Sequence, residues 1–281
     1  MVTSFHPPIV PLFVPGDRPE RFAKAAQSGA DAIIIDLEDA VSPDNKSLAR
    51  THLVKHDVRG IPVIVRINAS ESPCFDDDLA ALEQAHFSAV MLPKTNTAAD
   101  IRAVHERLGR IVPIVPLIET AVGITALPEI MGASGVGVVA FGALDYAMDL
   151  GCNPNWDAML AARSEIVFRS RLAGIAAPID GVTTVLDDAD QVQSDTERAV
   201  SLGFGGKLMI HPRQIAPALR AFLPSDETLA WARQVIDLSD GGGAVQLNGA
   251  MIDRPVLERA RRVIALTDSY MRGQQGLGRA I

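Results

Sequence analysis

Cysteine is nearly missing: Cys74 and Cys152 are the only two in 281 residues, far apart and outside any Cys-x-x-Cys or His–Cys grouping. That excludes a disulfide scaffold and a structural zinc site, and it fits a reducing cytoplasmic location. Runs of basic charge are missing as well. The balance of 26 Lys and Arg against 34 Asp and Glu leaves −8, which argues against a nucleic-acid surface but leaves room for a local basic pocket holding a phosphorylated ligand. No apolar run approaches the roughly 18 residues of a membrane span, and Met1 to Pro8 lack a basic region followed by an apolar stretch. The expectation is a protein neither secreted nor membrane-embedded. No Gly-x-Gly-x-x-Gly follows the first strand-like segment to bind a dinucleotide, and no Gly-x-Ser-x-Gly elbow or Cys–His pairing offers a covalent nucleophile.

What is present is apolar material, 48% of the chain, arranged in a rhythm. Short β-branched segments recur at residues 9–14, 32–36, 62–67, 89–92, 112–118, 137–141, 178–182 and 207–210. Most are continuous apolar runs rather than in–out alternations, as strands buried on both faces should be. Between them, residues 19–28, 76–85, 98–108, 154–173 and 189–202 carry apolar residues at helical spacing, with Pro19 at a helix start and Gly29, Gly109, Gly174 and Gly203 at helix ends. This alternation predicts a closed (β/α)8 TIM barrel over residues 1–215, with an open doubly wound sheet as the other reading. Residues 216–281 read as a C-terminal helical extension. Its Gly241-Gly242-Gly243 hinge would let it swing out and pack on a neighbouring subunit.

In parallel barrels the chemistry lies at the carboxyl ends of the strands. Those ends here read Asp36-Leu37-Glu38-Asp39, Arg66-Ile67-Asn68, Pro93-Lys94, Glu119-Thr120, Gly142-Ala143-Leu144-Asp145 and Ile210-His211. Glu119 and Asp145 could each cap the helix that follows. Together on adjacent strand ends they favour two oxygen ligands for Mg2+. Arg66 can clamp a carboxylate or stabilise an enolate, or pair with the acids of the second strand end, and the two roles are compatible. Alternation sends Asp36 and Glu38 to one face and Asp39 to the other, so that one of the first pair could orient a metal-bound water. Arg18, Arg21 and Lys24 are the densest positive cluster on the rim and suit a pyrophosphate-bearing ligand, although the loop matches no P-loop spacing. A Schiff base on Lys94 is disfavoured, and His211 reads as a non-catalytic contact.

The same residues carry a resemblance that spans nearly the whole chain. The stretch Phe13 to Pro19, the Asp36 to Val41 acids with Lys46, Val65 to Asn68, Leu92 to Lys94, Ile118 to Gly123, Phe141 to Asp145, Gly206-Lys207 with Ile210-His211-Pro212, and Met251 to Pro255 resemble, in order and spacing, the citrate lyase β-subunit-like branch of the HpcH/HpaI aldolase family. That branch includes malyl-CoA and citramalyl-CoA lyases. The resemblance implies a Mg2+-dependent carbon–carbon lyase that cleaves a 3-hydroxy-carboxyacyl-CoA into an acyl-CoA and a 2-keto acid. In it Glu119 and Asp145 match the metal ligands, and Arg66 matches the arginine over the keto acid and enolate. Phe13, Arg18, Lys24, Leu144, Ile210 and His211 match thioester contacts. Asp253 matches an acid/base that a neighbouring subunit supplies within a homotrimer or dimer of trimers, whereas its local sequence alone favours a helix cap. The competing functions are a metal-dependent aldolase acting on free hydroxy-keto acids and a noncatalytic acyl-CoA-binding or assembly subunit.

Overall fold

The computed structural model describes residues 5–239, 245–247 and 250–278. In chain order its elements are β1 (Leu12–Pro15), α1 (Phe22–Ala26), β2 (Ile33–Asp36), α2 (Lys46–Lys55), β3 (Val63–Arg66), α3 (Phe75–Gln84), β4 (Ala89–Leu92) and α4 (Ala98–Leu108). There follow β5 (Ile114–Ile118), α5 (Ala121–Thr125), α6 (Leu127–Met131), β6 (Ala140–Phe141), α7 (Ala143–Leu150), α8 (Trp156–Ala173), β7 (Ile179–Asp180), α9 (Ala189–Leu202), β8 (Gly206–Lys207) and α10 (Ile215–Phe222). The extension holds α11 (Asp226–Ser239), the antiparallel pair β9 (Val245–Leu247) and β10 (Ala250–Ile252), and α12 (Arg254–Gly278).

The eight strands form one parallel sheet in sequential order, β1 to β8, flanked by helices. The sheet curls until its ends meet. Lys207 N donates to Ile9 O at 2.8 Å, Met209 N to Pro11 O at 2.9 Å and Phe13 N to Met209 O at 2.9 Å. That seam carries an isolated Leu12–Met209 bridge rather than a strand ladder. The continuously laddered closed barrel predicted from the sequence is therefore corrected to a strongly curled eight-stranded sheet. The last strands are the reason, because β6, β7 and β8 keep only two laddered residues each. A buried polar network backs them instead: Arg163 Nε donates to Asp180 Oδ1 at 2.8 Å, and Lys207 Nζ to Gly181 O at 2.6 Å.

The strands are apolar on both faces because both faces are covered. Ile34, Ile64, Met91, Val115 and Leu117 join one cluster inside the curl. Their neighbours Ile33, Ile35, Val63, Val65, Val90, Leu92, Ile114 and Ile118 join another, under the helices. The helix α2 was not anticipated, since along its ten residues only Ala49 and Leu53 are buried, too few for a periodic signal. The extension has its own small apolar centre in Ala232, Val235 and Ala260. The predicted hinge, residues 241–243, lies outside the described residues.

Candidate active site

The two-residue period of a strand decides which side chains reach the top of the curl. Asp36 continues the interior row of Ile34, Arg66 that of Ile64, and Glu119 that of Leu117, each one step above the core. The β2–β3 register sets Asp36 abreast of Arg66. The β5–β6 register sets Ile118 abreast of Phe141, so Glu119 stands beside Gly142. Above these positions opens a cavity of about 360 Å³. Asp36, Arg66, Glu119 and Asp145 line its polar part, and Phe13, Leu144 and Ile210 belong to its apolar wall.

On one side of this cavity the charges are paired. Arg66 Nε donates to Asp36 Oδ1 at 2.7 Å and Nη2 to Asp36 Oδ2 at 2.5 Å, a two-pronged clamp. The same oxygens accept from the main-chain N–H of Glu38 at 2.9 Å and of Ala40 at 3.0 Å. Asp36 thus has little capacity left for a metal-bound water, the role that alternation offered it. Alternation also fails for the rest of the trio. The chain turns after β2, with Val41 N donating to Glu38 O, so Glu38 and Asp39 both face Arg66, at 3.1 and 3.8 Å from Nη1. Glu38 Oε1 accepts from Lys94 Nζ at 2.6 Å, while Oε2, though near Nη1, makes no hydrogen bond. The ring of Phe13 lies 4.7 Å from the guanidinium carbon, covering the arginine with an apolar face. Burial works against the charge on Arg66, but Asp36, Glu38 and Asp39 outweigh it and hold its pKa above the ordinary arginine value. Burial likewise raises the pKa of Glu38, against the pull of Arg66 and Lys94.

Across the cavity the balance reverses. Glu119 is 2% exposed, and its one hydrogen bond among the described residues is from Lys94 N to Oε1 at 2.7 Å. Burial first, then the charges of Glu38 and Asp145, push its pKa up to about 8. The capping alternative does not hold for it, because Thr120 caps α5 by accepting from Gly123 N at 2.9 Å. Asp145 lies in the first turn of α7, where Gly142 is the N-cap residue and no side chain caps. Gly142 is there for space. A Cβ on it would overlap Glu119 Oε2 and come within 2.6 Å of the Glu119 Cβ.

Asp36, Glu38, Asp39, Glu119 and Asp145 number five acids against the two cations Arg66 and Lys94. With all ionised, the mouth is short of positive charge, and a divalent cation would offset part of that shortage. Among the described residues no three or more His, Cys, Asp or Glu side chains gather as a metal set. Two carboxylates suit Mg2+, which keeps several of its waters. Glu119 and Asp145 fit such an ion in charge, donor type and shared cavity.

Other predicted residues sit apart from this centre. Arg18 and Lys24 are exposed and outside the cavity wall, as is the half-buried His211, whose Nδ1 accepts from Arg213 N at 3.2 Å as a turn cap. Asp253 lies in the extension, accepting from Val256 N at 3.0 Å, the local cap reading of its sequence. Lys94 is held above its usual pKa: burial opposes its charge, but Glu38, Glu119 and Asp39 outweigh it, and the salt bridge to Glu38 disfavours a Schiff-base role. Sequence reasoning named three supports among the strand ends and matching stretches without giving them a role. Lys46 Nζ ties down the acidic turn through Leu37 O and Glu38 O, both at 2.6 Å, and Asn68 Oδ1 at 2.9 Å. Asn68 in turn donates to Leu37 O at 3.0 Å. The third is Gly142, which the interior parity of β6 could have flagged.

Comparison with known proteins agrees with this geometry. The family model described as HpcH/HpaI aldolase/citrate lyase matches residues 10–212. A citrate lyase subunit beta-like protein of Deinococcus radiodurans is 38% identical over 272 residues, covering 90% of this chain and 95% of that protein. An L-malyl-CoA/beta-methylmalyl-CoA lyase of Cereibacter sphaeroides is 33% identical over 294 residues, covering 90% and 92%. The crystal structure of CitE from Mycobacterium tuberculosis in complex with magnesium, acetoacetate and coenzyme A is similar with a TM-score of 0.82 and 34% identity, over 92% of this chain and 97% of that one. The curled sheet is thus a shared architecture, and this chain belongs to the citrate-lyase-β-like branch of the HpcH/HpaI aldolase/citrate lyase family.

Proposed function

We propose that the cavity is the active site of a Mg2+-dependent carbon–carbon lyase. It cleaves a 3-hydroxy-carboxyacyl-CoA of the citryl-, malyl- or citramalyl-CoA type into an acyl-CoA and a 2-keto acid. The observation that carries this reading is the buried Glu119, short of partners, sharing one cavity with Asp145 and facing Arg66. Solved structures of CitE with magnesium and acetoacetate or pyruvate, and of citrate lyase beta subunit with oxaloacetate and magnesium, support it, as does the malyl-CoA lyase relative.

Glu119 and Asp145 hold the cation, which when bound supplies a Lewis acid and a template for the keto-acid oxygens. In cleavage the substrate hydroxyl passes its proton to water at the cavity mouth, the carbon–carbon bond breaks, and its electron pair passes into the thioester as an enolate. Arg66 stabilises that enolate oxygen through Nη1, the guanidinium nitrogen that Asp36 leaves uncommitted. Asp36 holds the fork in place, Glu38 lends its charge to Nη1 from 3.1 Å without hydrogen-bonding it, and Phe13 shields the guanidinium from water. Asp253, reaching the cavity from the extension of a neighbouring subunit, gives the enolate carbon its proton and takes it back in condensation. Arg18, Lys24 and His211 meet the CoA portion at the rim, while Leu144 and Ile210 wall the acyl end. The finer organisation belongs to the same reading: a catalytic unit over residues 1–215, an extension over residues 216–281, a homotrimer or dimer of trimers, and a cytoplasmic location.

The test is keto-acid release from a panel of CoA thioesters and free hydroxy-keto acids with and without Mg2+. Release from a thioester of this class, abolished together with Mg2+ binding in Glu119→Ala, is expected. Thioester binding without release would make the chain a binding subunit, and turnover of the free acids alone would make it an aldolase.

A further inference from the structure

Lys94 has two unusual features. It is the one non-glycine residue with positive φ among the described residues, at 48°, a left-handed conformation that a lysine adopts only when its surroundings impose it. It also touches both sides of the active site. Its main-chain N–H reaches Glu119 Oε1 at 2.7 Å, and its ammonium reaches Glu38 Oε1 at 2.6 Å. The turn that carries it is pinned from below, with Thr95 Oγ1 donating to Leu92 O at 2.7 Å and Thr95 itself fully buried.

We propose that Lys94 is a positioning residue that sets the cation site and the enolate site relative to each other, its backbone orienting Glu119 and its side chain restraining Glu38. Resting on the cation reading above, this assigns Glu119 a single free oxygen. Oε1 is taken by the N–H, and Oε2, packed against Gly142, is left for the ion. It also explains why Glu38 Oε2 stays 3.1 Å from Arg66 Nη1 without hydrogen-bonding it. The ammonium pulls Glu38 the other way and keeps Nη1 open to substrate.

Removing the ammonium alone separates the two effects. In Lys94→Met the main-chain N–H stays, so Mg2+ affinity measured calorimetrically on the full chain stays within about threefold. Glu38 is released onto Arg66, and kcat falls about 10- to 100-fold, the range found for groups that orient a site from outside it, while KM for the thioester moves little. Lys94→Arg, which retains a cation within reach of Glu38, restores most of kcat. The backbone part is read without any ligand: Lys94→Gly melts about 2–4 °C above Lys94→Ala, because glycine takes positive φ without strain. A kcat in Lys94→Met within about threefold of the parent overturns the side-chain role, as does a parallel collapse of Mg2+ affinity. Equal melting of the Gly and Ala variants overturns the backbone role. Failure of the underlying cation reading shows itself elsewhere, as unchanged Mg2+ affinity in Glu119→Ala.

Discussion

The two sides of the active-site mouth differ in how their charges are answered. Where β2, β3 and β4 end, each charge has an opposite: Asp36 holds Arg66 in a fork, Glu38 lies between Arg66 and Lys94, and Lys46 ties the acidic turn to the main chain. Where β5 and β6 end, Glu119 meets one N–H and two neighbouring acids, and its pKa stands near 8 in consequence. The paired side is rigid and keeps a guanidinium in a fixed orientation. The underpaired side keeps a proton on Glu119 up to about pH 8, and a divalent cation would take that proton's place. Substitutions on the two sides should therefore separate cation binding from transition-state stabilisation.

The largest effect is expected from a residue on neither side. Asp253→Asn keeps the cap on α12, since asparagine also serves as an N-cap, so folding and Mg2+ affinity should be unchanged. Loss of an acid/base should still lower kcat by about 10²- to 10⁴-fold. Sedimentation beside activity measurements completes the test, because a compact monomer with full activity would exclude a contribution from a neighbour. Next comes the paired side. Arg66→Lys keeps the charge but loses the fork, and kcat should fall about 10²- to 10³-fold with Mg2+ affinity nearly unchanged. A drop in Mg2+ affinity as large as the drop in kcat would show that the two sides are not separable.

On the underpaired side, Gly142→Ala places a methyl group against Glu119. Mg2+ affinity should weaken about 10- to 100-fold while circular dichroism stays that of the parent. The smallest effect is pH dependence. The folded chain without cation keeps a proton on Glu119 between its ordinary value of 4.5 and about 8, whereas the unfolded chain has lost it. This residue's contribution to stability thus declines as pH rises through that window. The same proton must leave when Mg2+ binds, so affinity should rise about fivefold from pH 7 to pH 8 and level off above. Calorimetry in buffers of different ionisation enthalpy reads the released proton, and an affinity flat with pH would mean that Glu119 is already ionised.

Much of this site could be read before any coordinates. Continuous apolar runs gave eight parallel strands, and their carboxyl ends held the arginine and acids that share the cavity. Helix α2 escaped because two buried residues make no periodic stripe. The closed barrel was overstated because apolar composition records that a segment is buried but not how many residues it pairs, and the last strands pair few. The roles within the acidic trio escaped because strand alternation stops where the chain turns, so Asp39 comes round to the same guanidinium as Glu38. Arg18, Lys24 and His211, placed at the rim by the strand-end reading and matched to thioester contacts by resemblance, stand outside the cavity wall of the single chain.

By itself, the sequence determined the order of strands and which residue types stand at their ends, because burial on two faces writes itself into composition and period. Only the tertiary structure decided which acid is spent on Arg66 and which is left for a cation, because that depends on register between strands and on main-chain N–H groups that composition does not encode. The left-handed turn at Lys94 belongs to the second kind, since nothing in a lysine's own preferences calls for positive φ. The packing of Thr95 and the carboxylate of Glu119 impose it from outside.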